Sequence, residues 1–263
     1  MAFRSPARRF ALGLLGLIAV AGLSASPVLS QAPPAPELLA LNVVTVKPDM
    51  LRAYVDLQKS EIIPALQKGG QMSRGTWRTA TFGDPFMFAH VSPIRGFDQY
   101  DGQSPMVKAL GQEGYQALLA KLRPMITSQK MYALRTRPDL SYHADGAAEQ
   151  PMAILTVVHV QPTKLLDFET FIKGEWIPAL KKGGGKGYSV VQVLYGGGTT
   201  EFHTLVGIDK YADLASHPVT KALGEDGLTK LMAKSGGFAS SIERNVIRLD
   251  PELSFEVKPS SSK

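Results

Sequence analysis

The sequence contains no cysteine. That absence excludes thiol nucleophiles, thiolate-bound metals, iron–sulfur clusters and covalently attached c-type haem. It also excludes disulfides, which an oxidising compartment would permit. Stability must come from packing, for which roughly 230 mature residues suffice. Runs of lysine and arginine are missing, and aromatics do not interleave with basic residues, so nucleic-acid binding is not supported. No two histidines stand four apart and there is no His-x-His, which argues against a metal site. Gly-x-Ser-x-Gly is absent, as is Ser-x-x-Lys with its companion motifs, so serine hydrolase chemistry has no support. Gly183-Gly184-Gly185-Lys186-Gly187 imitates a phosphate loop, but it follows a helical pattern where such a loop follows a strand.

What is present begins with an export signature. Arg4, Arg8 and Arg9 form a basic start, Ala11 to Leu23 is an unbroken run of apolar residues and glycine, and Val28-Leu29-Ser30 suits a signal peptidase. The run is short for a bilayer span, which takes about 20 apolar residues. We expect a signal peptide over 1–30, a periplasmic or secreted mature protein, and no membrane attachment after cleavage. Arg8-Arg9-Phe10 leaves the twin-arginine route open beside the general secretory one. Removing 1–30 takes away three arginines and no acid, so the net charge falls from +6 to +3.

The mature chain is written twice. Leu41-Asn42-Val43-Val44-Thr45-Val46-Lys47-Pro48 matches Leu155-Thr156-Val157-Val158-His159-Val160-Gln161-Pro162 at a shift of 114, and fifteen of the thirty positions over 41–70 are identical. Pro105 to Gly114 matches Pro218 to Gly227 with one residue deleted, and the repeats end alike at Leu140-Ser141 and Leu253-Ser254. The expected units are 38–142 and 152–256, with a linker over 143–151 and disordered segments over 31–37 and 257–263. Within each unit a β-branched run ended by proline (41–47, 154–160) reads as a strand buried on both faces. A helical pattern follows (49–68, 163–182), with Leu165, Phe168, Ile172 and Trp176 on one stripe and Gly-Gly as C-cap. Pro64 and Pro178 should bend these helices. Two strands joined by a hairpin come next, 75–82 with 86–92 and 188–195 with 201–207. Ser104-Pro105 and His217-Pro218 open second helices, and strands near 129–136 and 241–249 close the units. The predicted fold class is α+β: two tandem βαββαβ ferredoxin-like units whose sheets face each other as an intramolecular pseudo-dimeric α/β barrel. A monomer with a pseudo-twofold axis and a homodimer both satisfy this pattern.

The repeated βαββαβ order, with Pro-Ala-Leu-(Gln/Lys)-Lys-Gly-Gly ending the first helix, resembles the dimeric α/β-barrel superfamily and is similar to its NIPSNAP and antibiotic-biosynthesis-monooxygenase branches. The resemblance covers about 38–143 and 150–256. It implies a ligand in the barrel or between sheet and helices. Cofactor-free monooxygenases, muconolactone-type isomerases and haem enzymes all use this fold, so it does not choose an activity. No family catalytic motif is visible. No cofactor is predicted, because no histidine sits in a haem-ligand pattern; haem enters only through the resemblance.

Candidate site residues are polar groups that interrupt apolar strands, since buried polar groups need partners. Thr45 and His159 occupy equivalent positions in the first strands, Arg78 and Gln192 in the second, His90 and Thr204 in the third. If all six face one cavity, they form a small-molecule site with Trp77 and other aromatics (Phe82, Phe86, Phe88, Tyr188, Tyr195, Phe202) as lining or core. Each histidine also has a plainer explanation as a bonded core residue. His203, out of phase with Thr204, is expected to face helices or solvent. His217 is expected as a helix cap and His143 in the linker. Glu61 and Glu175, each three residues before the helix proline, are weaker candidates for a general base, against an ordinary helix-surface acid paired with a cation. Three functions fit: a binding protein for a small apolar or aromatic molecule, a cofactor-free or haem enzyme with His90 or His159 as base and Arg78 stabilising negative charge, and an assembly protein without a ligand.

Overall fold

The computed structural model describes residues 34–257. The predicted signal peptide, residues 31–33 and the tail from Lys258 lie outside them. In the first half, β1 (Leu38–Val46) leads into α1 (Leu51–Leu57), a π-helical turn (Gln58–Ile62) and α2 (Ile63–Lys68). Then come β2 (Ser73–Thr79), β3 (Met87–Ile94), α3 (Pro105–Leu122), β4 (Ile126–Thr136) and a two-residue β5 (Tyr142–His143). The second half repeats this order. It runs through β6 (Met152–Val160), α4 (Leu165–Phe171), a π turn (Ile172–Trp176), α5 (Ile177–Lys182), β7 (Gly187–Tyr195), β8 (Glu201–Ile208), α6 (Pro218–Ser235), β9 (Ala239–Leu249) and β10 (Phe255–Glu256).

The π turns answer the prolines. Pro64 and Pro178 have no N–H to give, and their rings crowd the preceding turn; a locally widened helix accommodates both problems. Each helix stops at a Gly-Gly pair whose second member is left-handed, Gly70 at φ 90° and Gly184 at φ 75°. As expected, Ser104 Oγ caps α3 by accepting from the Val107 N–H, and His217 Nδ1 accepts from the Val219 N–H at the start of α6.

Each half forms an antiparallel sheet, ordered β2-β3-β1-β4 and β7-β8-β6-β9. The two sheets do more than face each other. β4 pairs with β7 and β9 pairs with β2, so eight strands close into one barrel without a free edge among them. Leu39, Leu41, Leu134, Val191 and Val193 fill its interior. The alternate residues of the same strands point outward under the helices: Val44, Val46 and Phe88 under α1–α3, and Val158, Val160 and Phe202 under α4–α6. That is why the first strand of each unit is apolar on both faces.

The chain ends cross over. Leu140, from the end of the first unit, is fully buried in the helix layer of the second half, and Leu253 is fully buried in that of the first. Ser141 Oγ accepts from the Val190 N–H (2.9 Å), and Ser254 Oγ accepts from the Thr76 N–H (2.9 Å). β5 then pairs with β7, and β10 with β2. His143, expected in the linker, is the second residue of β5.

Candidate functional site

The six polar strand positions divide between two faces. Thr45 pairs across the strands with Met87, and His159 with Glu201; both lie on the barrel face, near its mouth. Trp77, opposite Ala89, shares that face. His90 pairs with Asn42, so it points away from Thr45 and into the helix layer. Arg78 is opposite Phe88, and Gln192 opposite Phe202, which puts both on the helix side. Thr204, opposite Thr156, is there too. The expected common cavity does not exist: the strand register sets Thr45 and His159 on one side of the sheet and the other four on the opposite side. Phe82 and Tyr195, expected to line or fill the interior, are more than half exposed.

Under the first-half helices, His90 sits in a continuous polar chain. Thr76 Oγ1 donates to the Leu253 carbonyl (2.8 Å), so it accepts from His90 Nδ1–H (3.0 Å), and His90 Nε2 accepts from the Tyr54 hydroxyl (2.8 Å). Arg74 donates to Gln58 Oε1 and to the Leu253 carbonyl, both at 3.0 Å. Burial, then the Arg74 charge, holds His90 well below the usual histidine range, and burial pushes the Arg74 guanidinium down to about 10. His90 is therefore a neutral, enclosed residue with both nitrogens bonded. It cannot take a substrate proton without the layer opening. Arg78 lies over the Phe88 ring and pairs with Asp250 (3.4 Å), while Gln192 accepts from Arg135 (3.0 Å) and Arg137 (3.2 Å).

The second half replaces most of this chain with apolar or aromatic groups. Tyr54, Gln58, Arg74, Thr76 and His90 correspond to Phe168, Ile172, Tyr188, Val190 and Thr204. Here the layer is not filled. A cleft of about 50 Å³ lies between sheet and helices, floored by Phe168, Ile172, Trp176, Tyr188 and Phe238. Thr204 and Ser235 supply hydroxyls, and the exposed side chains of Ile242 and Arg244 on β9 stand at its mouth. Of the strand candidates only Thr204 lines it. The helical stripe holding Phe168, Ile172 and Trp176 was legible in the sequence; Arg244 was missed, and the signal for it is a mismatch between repeats, since the first carries Met131 there.

Inside the barrel mouth, His203 was also misjudged. It lies opposite Val157 and Val191, hence on the barrel face, and is buried. Its Nε2 is 2.8 Å from Glu201 Oε1, and His159 Nδ1 is 4.0 Å from Glu201 Oε2. The bond to His203 holds the Glu201 carboxyl below its ordinary range. Among the described residues, no group of three or more such side chains is arranged to hold a metal ion.

Glu61 bonds Lys121 through both oxygens (2.8 and 2.9 Å), and Glu175 pairs with Lys234. These acids are tied to the second helix of their own unit. A surface groove of about 330 Å³ runs beside the first pair, between α2 and α3. It is larger than the cleft and about as open; two of its charged groups, Glu61 and Lys121, satisfy each other, and Lys68 also lines it.

No protein-family profile and no curated protein matches the chain. Solved structures do. An anthrone oxidase-like protein superposes with a TM-score of 0.62 over 85% of this chain and 94% of its own, at 13% identity. Candidate monooxygenases from Fusobacterium nucleatum (TM-score 0.52, 12% identity, 81% of this chain and 92% of that one) and Lactobacillus acidophilus (0.50, 13%, 86% and 100%) share the same architecture. The fold is the dimeric α/β barrel. Here both halves lie in one chain. At these identities the likeness is one of fold, and the activity must be argued from the residues.

Proposed function

We propose that this is an exported binding protein that holds one small, largely apolar or aromatic molecule in the sheet–helix cleft of its second half. The observation that carries the proposal is the asymmetry of the repeats. The first half fills its helix layer with a bonded polar chain, whereas the second half keeps an aromatic-lined cleft with few polar groups, the usual make-up of a small-molecule site. The barrel interior is packed with leucine and valine. Export rests on the basic and apolar N-terminal pattern and the small residues that follow it.

Size narrows the ligand. The cleft has room for about four waters, so a single ring or short chain fits only if Met232, an unbranched and adaptable side chain in the lining, gives way. A three-ring molecule exceeds it. Haem does not fit these residues either: the cleft lining contains no histidine, and both nitrogens of His90 are already bonded.

The test is native mass spectrometry of the mature protein isolated from its own cell envelope. One organic adduct is expected per chain, absent in Ser235→Leu, which places the first half's residue (Leu122) in the cleft. An empty wild-type protein, or an adduct that survives Ser235→Leu in a folded variant, overturns the proposal.

A further inference from the structure

We infer that the molecule taken by this cleft is an amphiphilic monoanion, a ring or short chain ending in a carboxylate, bound tail inward with its charge on Arg244. The inference rests on the cleft reading above and names the ligand's class. Arg244 is the one charged residue in the lining, which contains no acid. Among the described residues it makes no ion pair, unlike Arg78 and Arg137 on neighbouring elements. The preceding residue on β9, Glu243, lies opposite Val157 and so faces the barrel. Arg244 lies opposite Thr156, on the cleft side. Its charge reaches His217, whose imidazole is pushed down to about 4, first by burial and then by Arg244; no anion offsets it there.

The orientation follows from the lining. Ser235 Oγ already donates to the Met232 carbonyl (2.6 Å), so it presents only lone pairs and a carboxylate beside it would meet an acceptor. Thr204 Oγ1 lies 3.5 Å from the Thr156 carbonyl, too far for a good hydrogen bond. The deep end is floored by aromatic and aliphatic side chains, and its donors, the buried and unpartnered Trp176 Nε1–H and the Tyr188 hydroxyl, are neutral; it suits an apolar tail, while the one cation of the lining stands at the mouth. Guanidinium and carboxylate match in geometry and in charge. In the first half Met131 stands at the equivalent position, so the cation occurs only beside the cleft.

The test compares benzoate with benzamide, a neutral molecule of the same shape, and toluene as a pure apolar probe. Binding is read from Trp176 fluorescence in Trp77→Phe, which leaves one tryptophan. Benzoate should bind about tenfold tighter than benzamide, the scale of one charge-assisted hydrogen bond at a half-open rim. Arg244→Met should abolish that preference and leave toluene unchanged. If toluene binds but benzoate and benzamide are equal, or if Arg244→Met keeps the preference, the anion inference falls and the cleft stands. If none of the three perturbs Trp176, both fall.

Discussion

At His90 both ring nitrogens are engaged, and the charge that reaches the ring is the positive one of Arg74. Adding a proton would break the bond from Tyr54 and set two cations in a dry layer. His217 is held neutral as well, down to about 4. For both groups the folded state gives up the proton more easily than the unfolded chain. As pH falls below about 6.5, the unfolded state takes up protons first, so stability is full above that value and declines below it, by about 1.4 kcal/mol per pH unit for each group. The urea midpoint should therefore be lower at pH 5.5 than at pH 7.5, and the drop should be smaller in His90→Gln, where His217 and His143 still contribute. Equal midpoints in the wild-type protein would refute this. The burial of His90 was legible in its flanking Phe88 and Val91. Its face was not, because a one-residue change of register between β1 and β3 exchanges barrel side for helix side, and the hydrophobic pattern that ordinarily sets register does not choose when both faces of the strand are apolar. His203 was misplaced for the same reason.

At the scale of the element, the paired glycines do different work. Gly70 carries the left-handed turn, while Gly69 lets the chain pass close to the start of α3: a methyl group there would collide with the Pro105 carbonyl, as one at Gly183 would with Pro218. Gly69→Ala should lower stability by about 2 kcal/mol or more, since backbone must move to relieve the clash. Gly174, in the second π turn, has open space around it, and Gly174→Ala should be neutral or stabilising by up to about 1 kcal/mol. Thermal melts of the two variants check the contrast; similar shifts would show that helix propensity, not the close approach, governs both. The Gly-Gly helix end, the prolines and the strand order were all readable from spacing. The contact with Pro105 was not, because it arises only when α2 and α3 pack.

For the whole molecule, the crossing of the unit ends decides how the halves depend on each other. Leu253 belongs to the second repeat in sequence but to the first in packing, and its carbonyl anchors Thr76 and Arg74. Leu253→Ala should cost about 3 kcal/mol. Hydrogen exchange should rise first in β2, β3 and α1, with the second-half strands less affected; the reverse pattern would contradict the crossed packing. Leu140→Ala should loosen β7 and α4 in the same way. The repeats themselves were plain in the sequence, and so was the barrel. The exchange was hidden, since Leu-Ser at the end of a unit reads the same whether it folds back or reaches across.

Leu253 follows every other residue of the core it completes in chain order. The first half, though synthesised first, therefore cannot close that core until the second repeat has been made as well, so its last packing step waits on its neighbour.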